Sequence, residues 1–350
     1  MRAITFIDVE QLELPDVPDP RIQDPGDVIV RVDVAGICGS DLHPYLGRER
    51  GLDPGTVMGH EFVGRVAEVG PGVRALAVGD RVVAPFTTSC GACWACRIGL
   101  TARCVHGQLF GWVQGGRGLH GGQAEFVRVP LADTTLVRVP DPLQDDAVAL
   151  LAGDVLSTAM FGAELARMSP GDVVAIIGCG PVGLLAIRAS LARGAARVFA
   201  LDAVASRLAL AERFGAVAVN VADGDAVARV RERTDGRGGD CVIEAVGSPE
   251  ATRTAADVAR PGATIAALGV HTEPALALSP GELYDRNLTY AAGRCPARRM
   301  LPEALEVATR EAGLLAGLIT HRLPLAAGVD AYRRLAAREE GWGKVVLENR

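Results

Sequence analysis

The sequence reads as an α/β chain of two domains, one a doubly wound parallel sheet and the other rich in β-structure. Three observations carry this. The chain has 350 residues, and at roughly 100–200 residues per domain that suits two domains better than one. From Asp141-Pro142 onward, short apolar runs alternate with Ala/Leu/Arg-rich helical stretches, the pattern of strand–helix–strand units on a parallel sheet. Before that point the apolar residues fall in β-branched runs separated by Gly and Pro, with no long helical period.

Val28–Val34, Phe62–Val69 and Asp80–Ala84 are the strand candidates of the first half. Val173–Ile177 is a continuous apolar run, expected to be a buried strand, and Val182–Ala192 follows it as a helix. Val198–Leu201 is the next strand, and Ala203–Phe214 the next helix, stopped by Gly215. Val217–Val221, Cys241–Glu244 and Thr264–Leu268 continue the strand series. Past Gly293 the alternation ends, and the closing strand Lys344-Val345-Val346-Leu347 is expected to return to the first domain. The domains are therefore drawn as 1–153 with 294–350, and 154–293.

Composition excludes several classes. Hydrophobic residues at 49% and charged residues at 22% can build a core, so the chain is not disordered. A net charge of −6, 4% aromatics and no Lys/Arg run argue against a nucleic-acid partner. The 42 Gly follow no Gly-X-Y period, which excludes collagen. No uninterrupted apolar run reaches about 18 residues and no cleavable leader opens the chain, so a cytoplasmic protein with no membrane partner is expected. In that reducing compartment, clustered Cys point to metal or redox chemistry ahead of disulfides.

Gly178-Cys179-Gly180-Pro181-Val182-Gly183 fits G-x-G-x-x-G, and it stands where that motif needs to stand, after a strand and opening a helix. Gly178 would permit the tight turn and Gly180 the approach of backbone to a pyrophosphate. Gly183 would permit close helix–strand packing. Asp202 ends the following strand, where a carboxylate accepts ribose hydroxyls and repels a 2′-phosphate, so NAD is expected ahead of NADP. Arg207, one helical turn on, tempers that preference.

Cys90-x2-Cys93-x2-Cys96-x7-Cys104 is the most specific pattern in the chain. Four thiolates so spaced can close a tetrahedral Zn²⁺ site with no room for substrate, a structural role for a lobe at 88–106. An iron–sulfur cluster and a disulfide framework are the rivals. Trp94, inside this lobe, is expected to pack. Cys38-Gly39-Ser40-Asp41-Leu42-His43, Gly59-His60-Glu61 and Asp154 supply a thiol, imidazoles and carboxylates from separate segments, suited to a catalytic zinc with an open position. Each has a bland reading: Cys38 as a small buried hydrophobe, His60-Glu61 as surface, Asp154 as a helix N-cap.

Taken together, with Gly59-His60-Glu61-x2-Gly64-x5-Gly70-x2-Val73 among them, these motifs resemble the zinc-dependent alcohol dehydrogenases of the medium-chain dehydrogenase/reductase superfamily. The resemblance covers essentially the whole chain in order. It implies a GroES-like catalytic domain joined to a Rossmann domain, and two zinc ions per chain. Cys38, His60 and Asp154 would hold the catalytic zinc, with Glu61 on it or beside it and exchangeable. Asp41 would orient His60, and Ser40 and His43 would relay the proton. Thr158 would stand near the nicotinamide, and Val246 and Gly269-Val270 would line the cofactor cleft. Gly107–Trp112 and Gly121–Val127 look like the formaldehyde-dehydrogenase-like branch. The implied activity is hydride transfer between a small primary or secondary alcohol and NAD, in a homo-oligomer, with a tetramer favoured. The alternatives are a polyol, sugar or formaldehyde-processing dehydrogenase, a metal-free quinone-reductase relative, and, from another class, a zinc-ribbon binding module.

Overall fold

The computed structural model describes residues 1–349. It forms two compact units, one of Met1–Ser157 with the chain from Pro296 onward, the other of Thr158–Cys295. These divides fall a few residues beyond those read from the sequence, so Asp154 and Ser157 stay with the first unit. The physical reason is local. Helices Asp146–Gly153 and Val155–Leu165 are separated only by Asp154, and no loop marks the border. The span Asp146–Leu165 has the length and mean hydropathy, 1.5, of a membrane-crossing helix, but 83% of it is buried in the fold. A core helix meets the same criterion.

In the first unit a seven-stranded sheet is built around Val28–Ile37. Lys344–Glu348 lies antiparallel on one side of it and Phe62–Val69 on the other. Arg81–Val83 and Val137–Arg138 extend the sheet past Phe62–Val69, and Ile319–Pro324 extends it past Lys344–Glu348. The closing strand thus returns to the N-terminal sheet as expected. Val28, Val30, Val32, Phe62 and Val66 form one core with Val127 and Val129. Tyr45 is buried in a second core with Tyr332, and Trp112 packs against it.

The cysteine lobe differs from expectation at one point. Trp94 does not pack. It and Ile98 are each 64% exposed, on and just after the four-residue helix Trp94–Arg97. In this one-turn helix Ala95 is the buried residue, and Trp94, about 100° round from it, falls on a different face.

The second unit is a six-stranded parallel sheet. Its strands are β1 (Val173–Ile177), β2 (Arg197–Asp202), β3 (Val217–Asn220), β4 (Gly239–Glu244), β5 (Ala259–Ala267) and β6 (Thr289–Ala292). Their order across the sheet is β3-β2-β1-β4-β5-β6. The chain reverses direction of travel between β1 and β4, which opens a crevice at their carboxyl ends where α/β sheets bind ligands. The strands predicted from apolar runs all form. The four-residue edge strand β6 and the helix Pro249–Val258 were not read from the sequence. The helix is announced only by the Ser248 cap, which accepts from Ala251 N–H, and by Pro249 in its first turn.

Candidate metal and cofactor sites

Cys38 directly follows the central strand Val28–Ile37, His60 precedes Phe62–Val69, and Asp154 is the break between two apolar helices. The fold brings these three together, with their ligand atoms all within 4.8 Å of one another. Cys38 Sγ lies 3.5 Å and His60 Nε2 3.3 Å from Asp154 Oδ2. Four-coordinate zinc with ligands at 2.0–2.3 Å needs ligand–ligand edges of about 3.3–3.8 Å, so the spacing fits. His60 Nδ1 sits 3.0 Å from Asp41 Oδ1, which fixes the ring and leaves Nε2 for a metal. Three ligands leave one position of a tetrahedron for substrate or water.

The electrostatics favour a positive charge at this point. Burial pushes the Cys38 thiol up, and Asp154 and Glu61 add to it. Burial opposes a charge on His60, but Asp41 and Asp154 outweigh it and hold its pKa well above the ordinary value. Burial also works to raise Asp154, and the His60 ring against it wins and lowers it. A divalent cation would relieve the same concentration of negative charge.

Asp41 is itself held. Its Oδ2 accepts from Cys38 N–H at 2.9 Å and faces Gln123 Nε2 at 3.4 Å, while Gln123 Oε1 accepts from Tyr332 O–H at 2.9 Å. Sequence reading missed Gln123 and Tyr332, which lie far from Asp41 in the chain. The one trace of Gln123 is Gly59, whose φ is +90° and whose Cβ, if present, would clash with the Gln123 side chain.

Glu61 is not among the three. Its Oε2 pairs with Lys344 Nζ, both side chains fully enclosed, and its Oε1 is buried without a hydrogen-bond partner among the described residues. Gly36 explains the meeting. Lys344–Glu348 and Phe62–Val69 flank the central strand, and the Glu61 carboxylate fills the space a Cβ at position 36 would need. Burial acts to neutralise Lys344, but Glu61, then Cys38, keep its pKa raised. With Lys344 offsetting Glu61, Asp154 and Cys38, the latter once deprotonated by a metal, would match the charge of one Zn²⁺. The sequence offered one sign of this pair, a Lys opening an otherwise apolar strand.

Ser40 Oγ lies 3.2 Å from Cys38 Sγ and 3.3 Å from His60 Nε2, at the edge of the donor set. His43 follows in the helix Leu42–Tyr45, and its Nδ1 is buried with no partner among the described residues.

The other cysteines divide as follows. Cys90, Cys93, Cys96 and Cys104 form a second ligand group within 4.8 Å, and none of these four is in a disulfide. Backbone N–H groups of Cys96 and Val105 lower Cys93 to about 6, and an N–H from Ala92 is the main cause lowering Cys90. Burial and the neighbouring thiols raise Cys96 to about 12. A closed set of four sulfurs, some already favoured as thiolates by backbone donors, suits a structural zinc.

In the second unit the glycine turn connects β1 to the helix Pro181–Ala192, whose cap residue Gly180 offers no side chain to the first N–H groups. Nothing lies within 4 Å of where a Gly180 Cβ would be, which leaves a cradle open to a phosphate. Gly183 is forced, because its Cβ would strike Gly178 O. Asp202 Oδ2 accepts from Cys179 N–H at 2.7 Å and Oδ1 from Val204 N–H at 2.9 Å. Arg207 Nη1 stands 3.9 Å from Asp202 Oδ2. Val246 and Val270, beyond the ends of β4 and β5, are 50% and 45% exposed. Thr158 lies in the helix Val155–Leu165.

Two family descriptions match this chain, an alcohol dehydrogenase GroES-like domain over residues 24–141 and a zinc-binding dehydrogenase over 181–310. The zinc-type alcohol dehydrogenase B of Aspergillus flavus is 40% identical over 343 residues, 95% of this chain and 78% of its own length. The chain belongs to the zinc-dependent alcohol dehydrogenases. It is an oxidoreductase of the alcohol or polyol dehydrogenase type, with a GroES-like and a Rossmann-type domain. Among solved structures, the alcohol dehydrogenase TADH from Thermus sp. ATN1 superposes with a TM-score of 0.93 at 37% identity, covering 99% of each chain. The formaldehyde-dehydrogenase-like branch is a weaker fit. A glutathione-independent formaldehyde dehydrogenase of Pseudomonas aeruginosa is 36% identical over 265 residues, 70% of this chain and 65% of its own.

Proposed function

We propose that this alcohol dehydrogenase oxidises a small primary or secondary alcohol with NAD, holding a catalytic zinc at Cys38, His60 and Asp154 and a structural zinc at the four-cysteine lobe. The observation that carries the proposal is the convergence of the three ligand atoms with one tetrahedral position left over. When bound, zinc supplies Lewis acidity that lowers the pKa of an alcohol hydroxyl, and NAD accepts the hydride. The position of Ser40 Oγ beside both Cys38 Sγ and His60 Nε2 supports it as the first acceptor of the hydroxyl proton. His43, with an unpartnered buried Nδ1, is the group that passes that proton outward. The enclosed Asp202 carboxylate supports NAD over NADP, since a 2′-phosphate would meet an anion there. Thr158, Val246 and Val270 complete the cofactor site in this reading. A cytoplasmic homotetramer is part of it and rests on resemblance alone.

The test is zinc content and cofactor reduction. Two zincs per chain, and reduction of NAD⁺ in preference to NADP⁺ by at least one member of a panel of primary alcohols, secondary alcohols, polyols and formaldehyde, are expected. One zinc with no reduction of either cofactor would sink the proposal.

The relay makes a separate prediction. Burial lowers the His43 pKa below its ordinary 6.5, and the Arg48 cation lowers it further. As a proton acceptor His43 must be neutral, so alcohol oxidation should fall only when pH drops below 6.5. His43→Ala should cost roughly 10²-fold in kcat and abolish this acid limb. Arg48→Gln should move the limb to higher pH, because losing the cation lets His43 protonate sooner. A pH–rate profile unchanged in both variants would refute the relay.

A further inference from the structure

Glu244 ends β4 and is fully enclosed. Its Oε1 accepts from Val246 N–H at 2.7 Å and Gly247 N–H at 2.8 Å, which fixes the carboxylate. Its Oε2 lies 3.1 Å from His271 Nε2, just beyond β5. A carboxylate already serving as acceptor requires the proton to be on Nε2. In the neutral ring that leaves Nδ1 as a fixed acceptor with no other hydrogen bond among the described residues. The side chain is 26% exposed, so a ligand can reach it.

The topology says which part of a ligand that would be. Asp202, at the end of β2, marks the adenosine side of the β1/β4 crevice, so the other half of a dinucleotide falls over β4 and β5. Val246 and Val270, the exposed apolar residues of that side, directly neighbour the Glu244–His271 pair in sequence or by hydrogen bond. The group at that end of NAD with N–H donors to offer is the nicotinamide carboxamide. We infer that His271, its tautomer set by Glu244, recognises the carboxamide N–H of the nicotinamide. This rests on the cofactor reading above.

Three ligands separate the two ideas: NAD⁺, ADP-ribose, which lacks the nicotinamide, and 3-acetylpyridine adenine dinucleotide, in which a methyl replaces the amide nitrogen. Calorimetric titration should show His271→Ala weakening NAD⁺ roughly three- to tenfold, the worth of one hydrogen bond. ADP-ribose and the acetylpyridine analogue should bind the variant as they bind the wild type. His271→Gln, which keeps an acceptor oxygen, should recover part of the NAD⁺ loss. Equal weakening of all three ligands would overturn the assignment by showing a merely structural role, and so would an unchanged NAD⁺ affinity. Wild-type protein that binds none of the three would overturn the cofactor reading itself.

Discussion

Lys344→Met will destabilise the protein by about 3–5 kcal/mol, the cost of leaving one member of a buried ion pair without the other. Glu61 has no exposure, and its remaining oxygen already lacks a partner among the described residues, so the lost ammonium cannot be replaced by water without opening the sheet. Urea unfolding measures the loss. Glu61→Gln in the same background removes the stranded charge and should recover much of it. The deficit should also shrink as pH falls towards 4.5, the ordinary value of a Glu carboxyl. Burial already raises the folded Glu61 pKa against the pull of Lys344, and losing Lys344 raises it further, so acid favours the folded, protonated form more in the variant than in the wild type. A Lys344→Met protein as stable as wild type at neutral pH would show that the pair is immaterial.

His60→Ala will abolish turnover while the fold persists. It removes one of three ligands and with it the several kcal/mol of Lewis-acid stabilisation, on the order of 10³-fold in kcat or more. The zinc count should fall from two to one per chain, since Cys90, Cys93, Cys96 and Cys104 form a separate group. NADH affinity should hold, because the glycine turn and Asp202 belong to the second unit. Asp41→Asn should be milder, about 10–100-fold, because Asp41 only aims the ring that His60 presents. Metal analysis, NADH titration and steady-state rates check the series. A His60→Ala enzyme with native turnover would remove the catalytic zinc from the proposal.

These variants mark how far the sequence could be read. Cys38, His60 and Asp154 were named together through the family resemblance, each having a bland reading alone, and the fold brings their ligand atoms within 4.8 Å of one another. The resemblance put Glu61 on or beside the metal, and the structure adds a partner no local reading offered, Lys344. Trp94 was expected to pack because it falls inside the four-cysteine lobe, but its neighbour Ala95 takes the buried face and Trp94 is left exposed. The texture of the sequence changes at Asp141-Pro142 and the divide was drawn at 153/154, whereas the compact units part after Ser157, within one apolar span that carries no loop.

By itself the sequence determined what is local. The four-cysteine spacing, the glycine turn after β1 and the strand–helix alternation are each written within a few tens of residues, where spacing alone fixes which side chains can meet. The tertiary structure alone decided the long-range partners. Lys344 and Glu61 stand 283 positions apart, Tyr332 and Gln123 209 apart, and His271 and Glu244, at or just past the ends of neighbouring strands, 27 apart. Such pairs follow from strand order and from where a glycine leaves room. Both depend on how whole sheets pack, because a buried charge or imidazole takes whichever partner packing brings within hydrogen-bond reach.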